Sequence, residues 1–307
     1  MSTSHASLNE LWQKQSLSWE YGAAASPDIE EVPIRAFPAS LHEAGITEII
    51  KLDLSDVIGT STHATTPSLL ANYLAIQGED QIRVEEQTSS EVYFVMRGQG
   101  RTETEQGVLD WKQGDAFTLP CHQGVTHFAD VDSALYWVHD GPLMSYLGVR
   151  PNKPRFEPAY YSKEYLDGEI SKIREAGIRE NRNRNGIILG NPASEKTKTM
   201  THTMWSLYNV LPKQSVQKPH RHNSVAIDLA VSADPNTYTM IAKEIDEAGN
   251  LIDPFRAEWK PNSVFVTPPG WWHSHHNESD VDAYVFPVQD AGLQTYLRTL
   301  DIQFIKD

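Results

Sequence analysis

The distribution of hydrophobic and polar residues separates a weakly patterned start from two strand-rich stretches. From about residue 66 to residue 140, short runs rich in β-branched and aromatic residues alternate with Gly- or Asp-containing turns, as in LLANYLAIQ, EVYFVMRG and ALYWVHDG. The same rhythm returns later in HTMWSLYNVLP, VAIDLAV, SVFVTP and DAYVFPVQD. Strands of this length and spacing are typical of antiparallel sandwiches and barrels. The pattern therefore predicts an all-β protein.

Helical spacing is limited to the segments that flank these two stretches. Residues 8–16 and 39–52 predict short helices, YYSKEYLDGEISKIREAG (160–177) predicts a connector helix, and GLQTYLRTLDIQFIK (292–306) predicts one amphipathic C-terminal helix. The predicted organisation is a helical N-terminal arm over 1–65, a first β-domain over 66–155, a connector over 156–198, and a second β-domain with the C-terminal helix over 199–307.

The two strand-rich stretches share an order of motifs, which predicts an internal duplication. In the first stretch EEQTSSEVYFVMRGQG precedes GDAFTLPCHQGVTHF, and in the second PHRHNSVAIDLAV precedes NSVFVTPPGWWHSHHN. Each stretch thus has a polar strand, a turn and a strand, and later a strand that ends in Pro. A Gly follows that Pro, with a His three residues after the Gly.

Composition and charge restrict the class of protein. Hydrophobic residues make up 39% of the chain and charged residues 22%, which is ordinary for a globular protein. The formal net charge of -15 argues against binding to nucleic acid or to an anionic membrane. The single cysteine, Cys121, excludes an intramolecular disulfide and is compatible with a reducing compartment. We therefore predict a soluble, cytoplasmic protein that has neither nucleic acid nor membrane as a partner.

Two histidines one residue apart, His220 and His222, carry the clearest sign of chemistry. Side chains alternate along a strand, so both imidazoles point to one side and can reach one ion. A predicted turn at 223–224 would bring 225–231 back antiparallel beside the histidine strand. His273 follows a Pro-Gly break at the end of a later strand. Three neutral imidazoles suit a borderline divalent metal such as iron, manganese, nickel or zinc, and leave positions open for other ligands.

His275 shares the strand parity of His273, and we predict that it lines the pocket or hydrogen-bonds a ligand there.

The segments HRHNSVA (220–226) and TPPGWWHSHHN (267–277) resemble, in order and separation, the two motifs of the cupin superfamily of small antiparallel β-barrels. With the connector helix and LHEAGITEI in the N-terminal arm, the chain resembles the gentisate 1,2-dioxygenase family and its salicylate and 1-hydroxy-2-naphthoate relatives. The resemblance implies two tandem cupin domains of the jelly-roll type in a homo-oligomer. It further implies an extradiol-type dioxygenase that uses Fe(II), held by three histidines, and O₂ to cleave a small aromatic substrate beside a hydroxyl group. The implied ligands are His220, His222 and His273.

The first half departs from the pattern of that family. It has Glu85, Gln87 and Glu91 where a cupin would have His, His and Glu, and only His127 remains of the usual ligands. We therefore predict that the N-terminal cupin is degenerate and structural, and that it binds no transition metal.

The second half departs from the family at one position of its motif. The family continues Ala-x-Arg, with the arginine pairing with the substrate carboxylate, whereas this chain has Ala226-Ile227-Asp228. Asp228 lies two residues beyond Ala226 on a strand, so we expect it on the same inward face, where it would repel a carboxylate. We therefore expect a substrate other than gentisate, either lacking that carboxylate or bearing an amine or hydroxyl that Asp228 can accept from.

Two other functions remain open on the sequence. One is a bicupin isomerase or lyase that uses Mn, Zn or Ni as a Lewis acid, and the other is a non-catalytic bicupin for binding or storage. Oxygen consumption with a panel of aromatic compounds separates the dioxygenase from both.

Overall fold

The computed structural model describes residues 7–179 and 185–305, which fall into two compact units, 1–30 and 31–307. In the first unit, helix α1 (Leu8–Gln13) begins with a capping box, because the Ser7 hydroxyl accepts from the Glu10 backbone N–H and the Glu10 carboxylate accepts from the Ser7 N–H. The helix predicted over residues 8–16 is thus present in a shorter form.

The second unit is built almost entirely from strands. Its first eleven are β1 Ala36–Phe37, β2 Glu48–Lys51, β3 Leu70–Ile76, β4 Gln81–Val84, β5 Ser90–Arg97, β6 Gln99–Thr104, β7 Gly107–Lys112, β8 Ala116–Pro120, β9 Val125–Ala129, β10 Ser133–His139 and β11 Ala159–Tyr161. The others are β12 Asn185–Leu189, β13 Trp205–Leu211, β14 Ser215–Val216, β15 His220–His222, β16 Ala226–Ser232, β17 Thr237–Ala242, β18 Phe255–Glu258, β19 Ser263–Thr267, β20 Trp272–Asn277, β21 Ala283–Gln289 and β22 Ile302–Phe304. The helices of this unit are α2 Ser55–Ile58, α3 Gly141–Leu147, α4 Lys163–Arg179 and α5 Ala291–Leu297.

The strands form four sheets, and all of their pairings are antiparallel. Sheet I has the order β11-β8-β5-β10-β3-β2, and sheet II the order β4-β9-β6-β7. Sheet III has the order β1-β19-β16-β21-β13-β12, and sheet IV the order β18-β17-β20-β15-β22, with β14 also paired to β20. Sheets I and II come from the first strand-rich stretch, and sheets III and IV mainly from the second. The prediction of an all-β protein is confirmed.

Three apolar cores hold these sheets together. One lies between sheets I and II and contains Trp137 and the stacked pair Tyr93 and Phe117, whose rings are 4.6 Å apart. A second lies between sheets III and IV and contains Trp259. The third joins sheets I and III and includes Phe94 against Phe286. Burying each such side chain contributes about 1.5–3 kcal/mol.

Two of the predicted helices are wrong in part. In the segment 39–52, a 3-10 helix at Ala39–His42 is followed by strand β2, which pairs with β3 because its two isoleucines can be half-buried against that sheet. In the segment 292–306, α5 ends at Arg298, which adopts a left-handed conformation with φ 62°, and the chain continues as strand β22. Strand β22 then pairs with the histidine strand β15.

The predicted partner of the histidine strand is also wrong. Strand β16 does not fold back beside β15 but crosses into sheet III, where it lies between β19 and β21. The connector contains helix α4, as expected from the sequence. None of the described helices is both long and apolar enough to cross a membrane.

Candidate metal centre

Three histidines of the second half converge at one point of sheet IV. One ring nitrogen from each of His220, His222 and His273 lies within 4.8 Å of the corresponding nitrogens of the other two. The ring centroids of His220 and His273 are 4.0 Å apart, and those of His222 and His273 are 4.9 Å apart. Within residues 7–179 and 185–305, no other three His, Cys, Asp or Glu side chains come together in this way.

Local backbone structure brings the three rings together. On β15 the two histidines flank one outward residue, and His220 lies directly opposite His273 on the neighbouring strand β20. The turn before β20 needs a left-handed residue, which Gly270 supplies at φ 79°. Its N–H donates to the His222 carbonyl at 2.7 Å, and this bond ties the turn to the histidine strand.

Hydrogen bonds define which nitrogen two of these rings can offer to a metal. The Nδ1 of His222 lies 2.8 Å from the Ser224 carbonyl oxygen, and the Nδ1 of His273 lies 3.1 Å from that of Trp271. A carbonyl can only accept, so each Nδ1 carries the proton and each Nε2 keeps its lone pair. Burial lowers the pKa of His222, which favours its neutral form. Neutral imidazoles oriented by carbonyls fit a divalent transition metal.

Two members of the triad, His220 and His222, line a cavity of about 220 Å³. Trp205, Leu207 and Ile302 supply apolar walls, while Gln217 and Gln289 supply polar groups. The ring of Phe304, on β22, also lines the cavity and stacks on His220 with centroids 5.6 Å apart. Strand β22, which the sequence pattern predicted to be the end of a helix, therefore forms one side of the site.

His275 lies beside the triad but is held by a different kind of partner. Its ring centroid is 5.9 Å from that of His220, and it lines the same cavity. Its Nδ1 is 2.8 Å from the Thr239 hydroxyl, which itself accepts from the Trp259 indole N–H at 2.8 Å. The Thr239 hydroxyl keeps its own proton after accepting from Trp259 and can donate that proton to Nδ1, which leaves the ring proton of His275 on Nε2. In that tautomer His275 presents a hydrogen-bond donor where His222 and His273 present lone pairs.

Asp228 occupies the inward face of β16 that its parity predicted, but it is not among the residues that line this cavity. It is buried, and its carboxylate accepts from the Thr267 hydroxyl at 2.9 Å. Burial raises the pKa of Asp228 to about 7. It makes no ion pair with any Arg or Lys of the described chain.

The first half repeats the relay that holds His275, a Trp–Thr–His chain of hydrogen bonds. Trp111 donates to the Thr102 hydroxyl at 3.0 Å, and that hydroxyl lies 2.8 Å from Nδ1 of His127. Thr102 also pairs across the strands with His127, as the threonine of the second relay pairs with His275. His127 is therefore the counterpart of His275, whereas the position of its Gly had suggested His273. The sequence feature that indicates this correspondence is the position of the Trp and the Thr, which lie outside the histidine motif.

The counterparts of His220 and His273 in the first half are apolar. Val84 pairs with Val125 across the strands, as His220 pairs with His273 in the second half. Glu85, which the sequence placed at this position, is exposed and forms an ion pair with Arg83.

Glu91 is fully buried in the first half and is held by three side chains. Its carboxylate accepts from the Thr88 and Tyr93 hydroxyls, and His122 Nε2 lies 3.2 Å from its Oε1 in an ion-pair contact. Burial is the largest influence and opposes ionisation of Glu91, but the contacts with His122, Tyr93 and His139 together outweigh it and lower the pKa.

Comparison with known proteins was made for the sequence and for the structure. No family model matches the chain. The 5-aminosalicylate 1,2-dioxygenase of a Comamonas species is 31% identical over 117 residues, which are 38% of this chain and 30% of that protein. The 1-hydroxy-2-naphthoate 1,2-dioxygenase of Nocardioides sp. strain KP7 is 24% identical over 161 residues, which are 51% of this chain and 38% of that protein. The matched region spans about a third of the length of these relatives.

Similarity to solved structures covers nearly the whole chain. Salicylate 1,2-dioxygenase from Pseudaminobacter salicylatoxidans superposes with a TM-score of 0.73 over 97% of both chains at 13% identity, and an adduct of that enzyme with gentisate gives the same score. Procruciferin, an 11S globulin from Brassica napus, is more distant, with a TM-score of 0.51 over 77% of this chain at 10% identity. The resemblance to the gentisate and salicylate 1,2-dioxygenase family is therefore confirmed, through a shared cupin dioxygenase fold and through sequence similarity to ring-cleaving dioxygenases over part of the chain.

Proposed function

We propose that this protein is an Fe(II)-dependent dioxygenase that cleaves the ring of a hydroxylated or amino-hydroxylated aromatic compound with O₂. The observation that carries the proposal is the triad of His220, His222 and His273 in a chain with the fold of salicylate 1,2-dioxygenase. Two of its members, His220 and His222, line a cavity. Both curated relatives are named for the oxidation of hydroxylated aromatic compounds. The three histidines would hold the metal.

Bound Fe(II) would supply a redox-active Lewis acid with open positions for two reactants side by side. Residues of the chain would orient the ligands and exclude water. The Ser224 and Trp271 carbonyls keep the imidazoles of His222 and His273 in the orientation and tautomer that a metal needs. The apolar walls of the cavity exclude water from the reactants.

His275 is the residue that we propose as the polar contact to the reactants. Its Nε2–H would donate a hydrogen bond to an oxygen of the substrate. This bond would stabilise the deprotonated form of that oxygen. The Thr239 hydroxyl would keep the donor in place, because rotation of the ring would break the bond to Nδ1.

For Asp228 we propose an indirect influence on the choice of substrate. Its carboxyl group acts through Thr267, whose backbone lies opposite Ala226 at the end of β19. A carboxyl with a pKa of about 7 is partly neutral at neutral pH and partly a negative charge behind the cavity wall. That charge would disfavour a substrate carboxylate, and Asp228→Asn would then improve turnover of gentisate relative to hydroquinone.

The organisation of the chain is part of the same proposal. We propose an N-terminal arm over 1–65, an N-terminal cupin over 66–155 that holds no transition metal, a connector over 156–198 and a metal-binding cupin over 199–307. Homo-oligomeric assembly and a cytoplasmic location also remain predictions.

The test is oxygen consumption by protein purified without air and reconstituted with Fe(II). The panel comprises gentisate, salicylate, 5-aminosalicylate, 1-hydroxy-2-naphthoate, hydroquinone and 2-aminophenol. We expect O₂ uptake with loss of aromatic absorbance for at least one compound, and none in His220→Ala. Turnover that needs Mn or Zn but no O₂ would show an isomerase or lyase, and protein without any bound metal would support a non-catalytic role.

A further inference from the structure

The largest cavity described in this chain lies in the first half, outside the histidine site, and has a volume of about 530 Å³. Its floor contains buried side chains of Leu70, His139 and Met144, and its rim contains Lys51 and Arg150. This cavity has a counterpart in the second half. Its residue His139 pairs with Glu91 on the neighbouring strand, as Gln289, which lines the histidine cavity, pairs with Ala226.

Two cations face this cavity without an acidic partner. Neither Lys51 nor Arg150 forms an ion pair with any side chain of residues 7–179 or 185–305. Of the other charged groups at the rim, His63 is already paired with Asp53 at 2.6 Å, and Glu86 is half-buried. In a chain of net charge -15, this cavity thus has two cations that no ion pair neutralises.

The floor offers a donor that has no acceptor. His139 is 2% exposed, and its Nδ1 accepts from the Gly141 N–H at 3.1 Å, so the proton of the neutral ring is on Nε2. That buried Nε2 has no hydrogen-bond partner, and neither has the indole nitrogen of Trp137, whose ring centroid is 4.5 Å away. Burial lowers the pKa of His139 to about 4, so the ring stays neutral and remains a donor. Unsatisfied buried donors are costly unless an acceptor reaches them.

We infer that this cavity binds a small organic carboxylate, without a metal, as a second ligand site of the protein. Lys51 and Arg150 would form charge-assisted hydrogen bonds with the carboxylate at the rim, and Leu70 and Met144 would contact its apolar part. The neutral ring of His139 would contact the ligand at the floor. Glu86 would favour a ligand that also carries a hydroxyl or amine donor.

The test uses benzoate as the probe and benzamide, which has the same shape without the charge, as its control. Binding is measured by calorimetry with metal-free full-length protein that carries His220→Ala and His222→Ala, so that the second-half site is disabled. We expect this background to bind benzoate with a stoichiometry of about one and to bind benzamide at least about tenfold more weakly.

Charge variants then locate the site. In the same background, Lys51→Gln with Arg150→Gln should weaken benzoate binding at least about tenfold, because two charge-assisted hydrogen bonds are lost. Lys196→Gln with Lys213→Gln removes the same charge from exposed positions elsewhere and should leave binding unchanged. All four positions are exposed, so folding should be kept. The inference is overturned by any of three results: no benzoate binding, equal binding of benzamide, or equal losses in the two double variants.

Discussion

At the scale of single residues, the proposed site uses one side-chain type for two purposes, and the hydrogen-bond partners differ accordingly. His222 and His273 bond to carbonyl oxygens and therefore keep Nε2 lone pairs. In the tautomer that we propose for His275, its Nδ1 accepts from the Thr239 hydroxyl and its Nε2 carries the proton. The proposed ligand and donor roles thus depend on atoms that do not themselves touch the reactants.

The first prediction concerns metal content. His222→Ala and His273→Ala should each reduce the metal from about one ion per chain to a trace, because two imidazoles leave the ion under-coordinated. Elemental analysis after anaerobic purification measures this. The matched control is His276→Ala, because His276 shares the strand but stacks on Tyr238. Full metal in either triad variant, or equal loss in the control, would contradict the assignment.

The second prediction concerns Asp228 and pH. The native carboxyl, with a pKa of about 7, retains a proton that the unfolded chain, at 3.8, has already lost. The contribution of Asp228 to the free energy of unfolding should therefore fall as pH rises from about 4 to about 7, by an amount on the order of 4 kcal/mol. Asp228→Asn should remove this dependence and should be more stable than wild type at pH 8. Urea denaturation of metal-free protein at pH 5 and pH 8 measures it, and an unchanged difference between the two proteins would contradict it.

At the scale of elements, each half places the same relay between its strands. Trp259 and Thr239 hold His275 in sheet IV, and their counterparts hold His127 in sheet II. Only the first of these histidines lies next to the triad of His220, His222 and His273. We therefore expect the relay to be structural in both halves and to position a functional side chain in the second half alone.

The third prediction compares the two relays. Thr239→Val and Thr102→Val should each cost about 1–3 kcal/mol in the free energy of unfolding, because each leaves a buried tryptophan N–H without an acceptor. Thr239→Val should also lower kcat about 10- to 100-fold with the metal retained, since His275 loses its orientation. Thr102→Val should leave kcat unchanged. Equal losses of kcat in both variants would show that the relay has only a structural role.

The sequence predicted the elements that carry strong periodicity and missed those that depend on distant partners. The strands around His220 and His273 follow from alternation and turn residues. Strand parity predicts that His220 and His222 face one side, whereas the addition of His273 depends on the Pro-Gly break before it and on the resemblance to the cupin motifs. Strand β22 was missed because its apolar residues also fit a helical period, and its pairing with β15 is a long-range contact. The relay was missed because nothing local links Thr239 to His275, which are 36 residues apart.

At the scale of the whole molecule, the two halves share one apolar core. The outer faces of sheets I and III meet there, with Phe94 and Tyr136 from one half against Phe286 and Ile227 from the other. The Tyr136 hydroxyl donates to the Ile227 carbonyl at 3.0 Å across this boundary. Neither half can therefore bury its six-stranded sheet alone.

The fourth prediction is that both halves unfold in one transition. Phe286→Ala should cost about 3–5 kcal/mol, because it opens a cavity in the shared core. Calorimetry should show one heat-absorption peak in wild type and in the variant, shifted to lower temperature in the variant. Two peaks, of which only one moves, would show that the halves are independent. Val131→Ala, at an exposed loop position, is the control and should leave the transition in place.

The pairing of Val84 with Val125 has a consequence for protein engineering. These valines stand where the second half has His220 and His273, and Glu86 follows Val84 at the spacing that separates the two strand histidines. Val84→His with Val125→His would thus assemble two imidazoles and a carboxylate, a donor set that non-haem iron enzymes use. Metal content should rise from about one to about two ions per chain. The first half would then hold a second metal centre, whose ligands could be changed without altering those of the first.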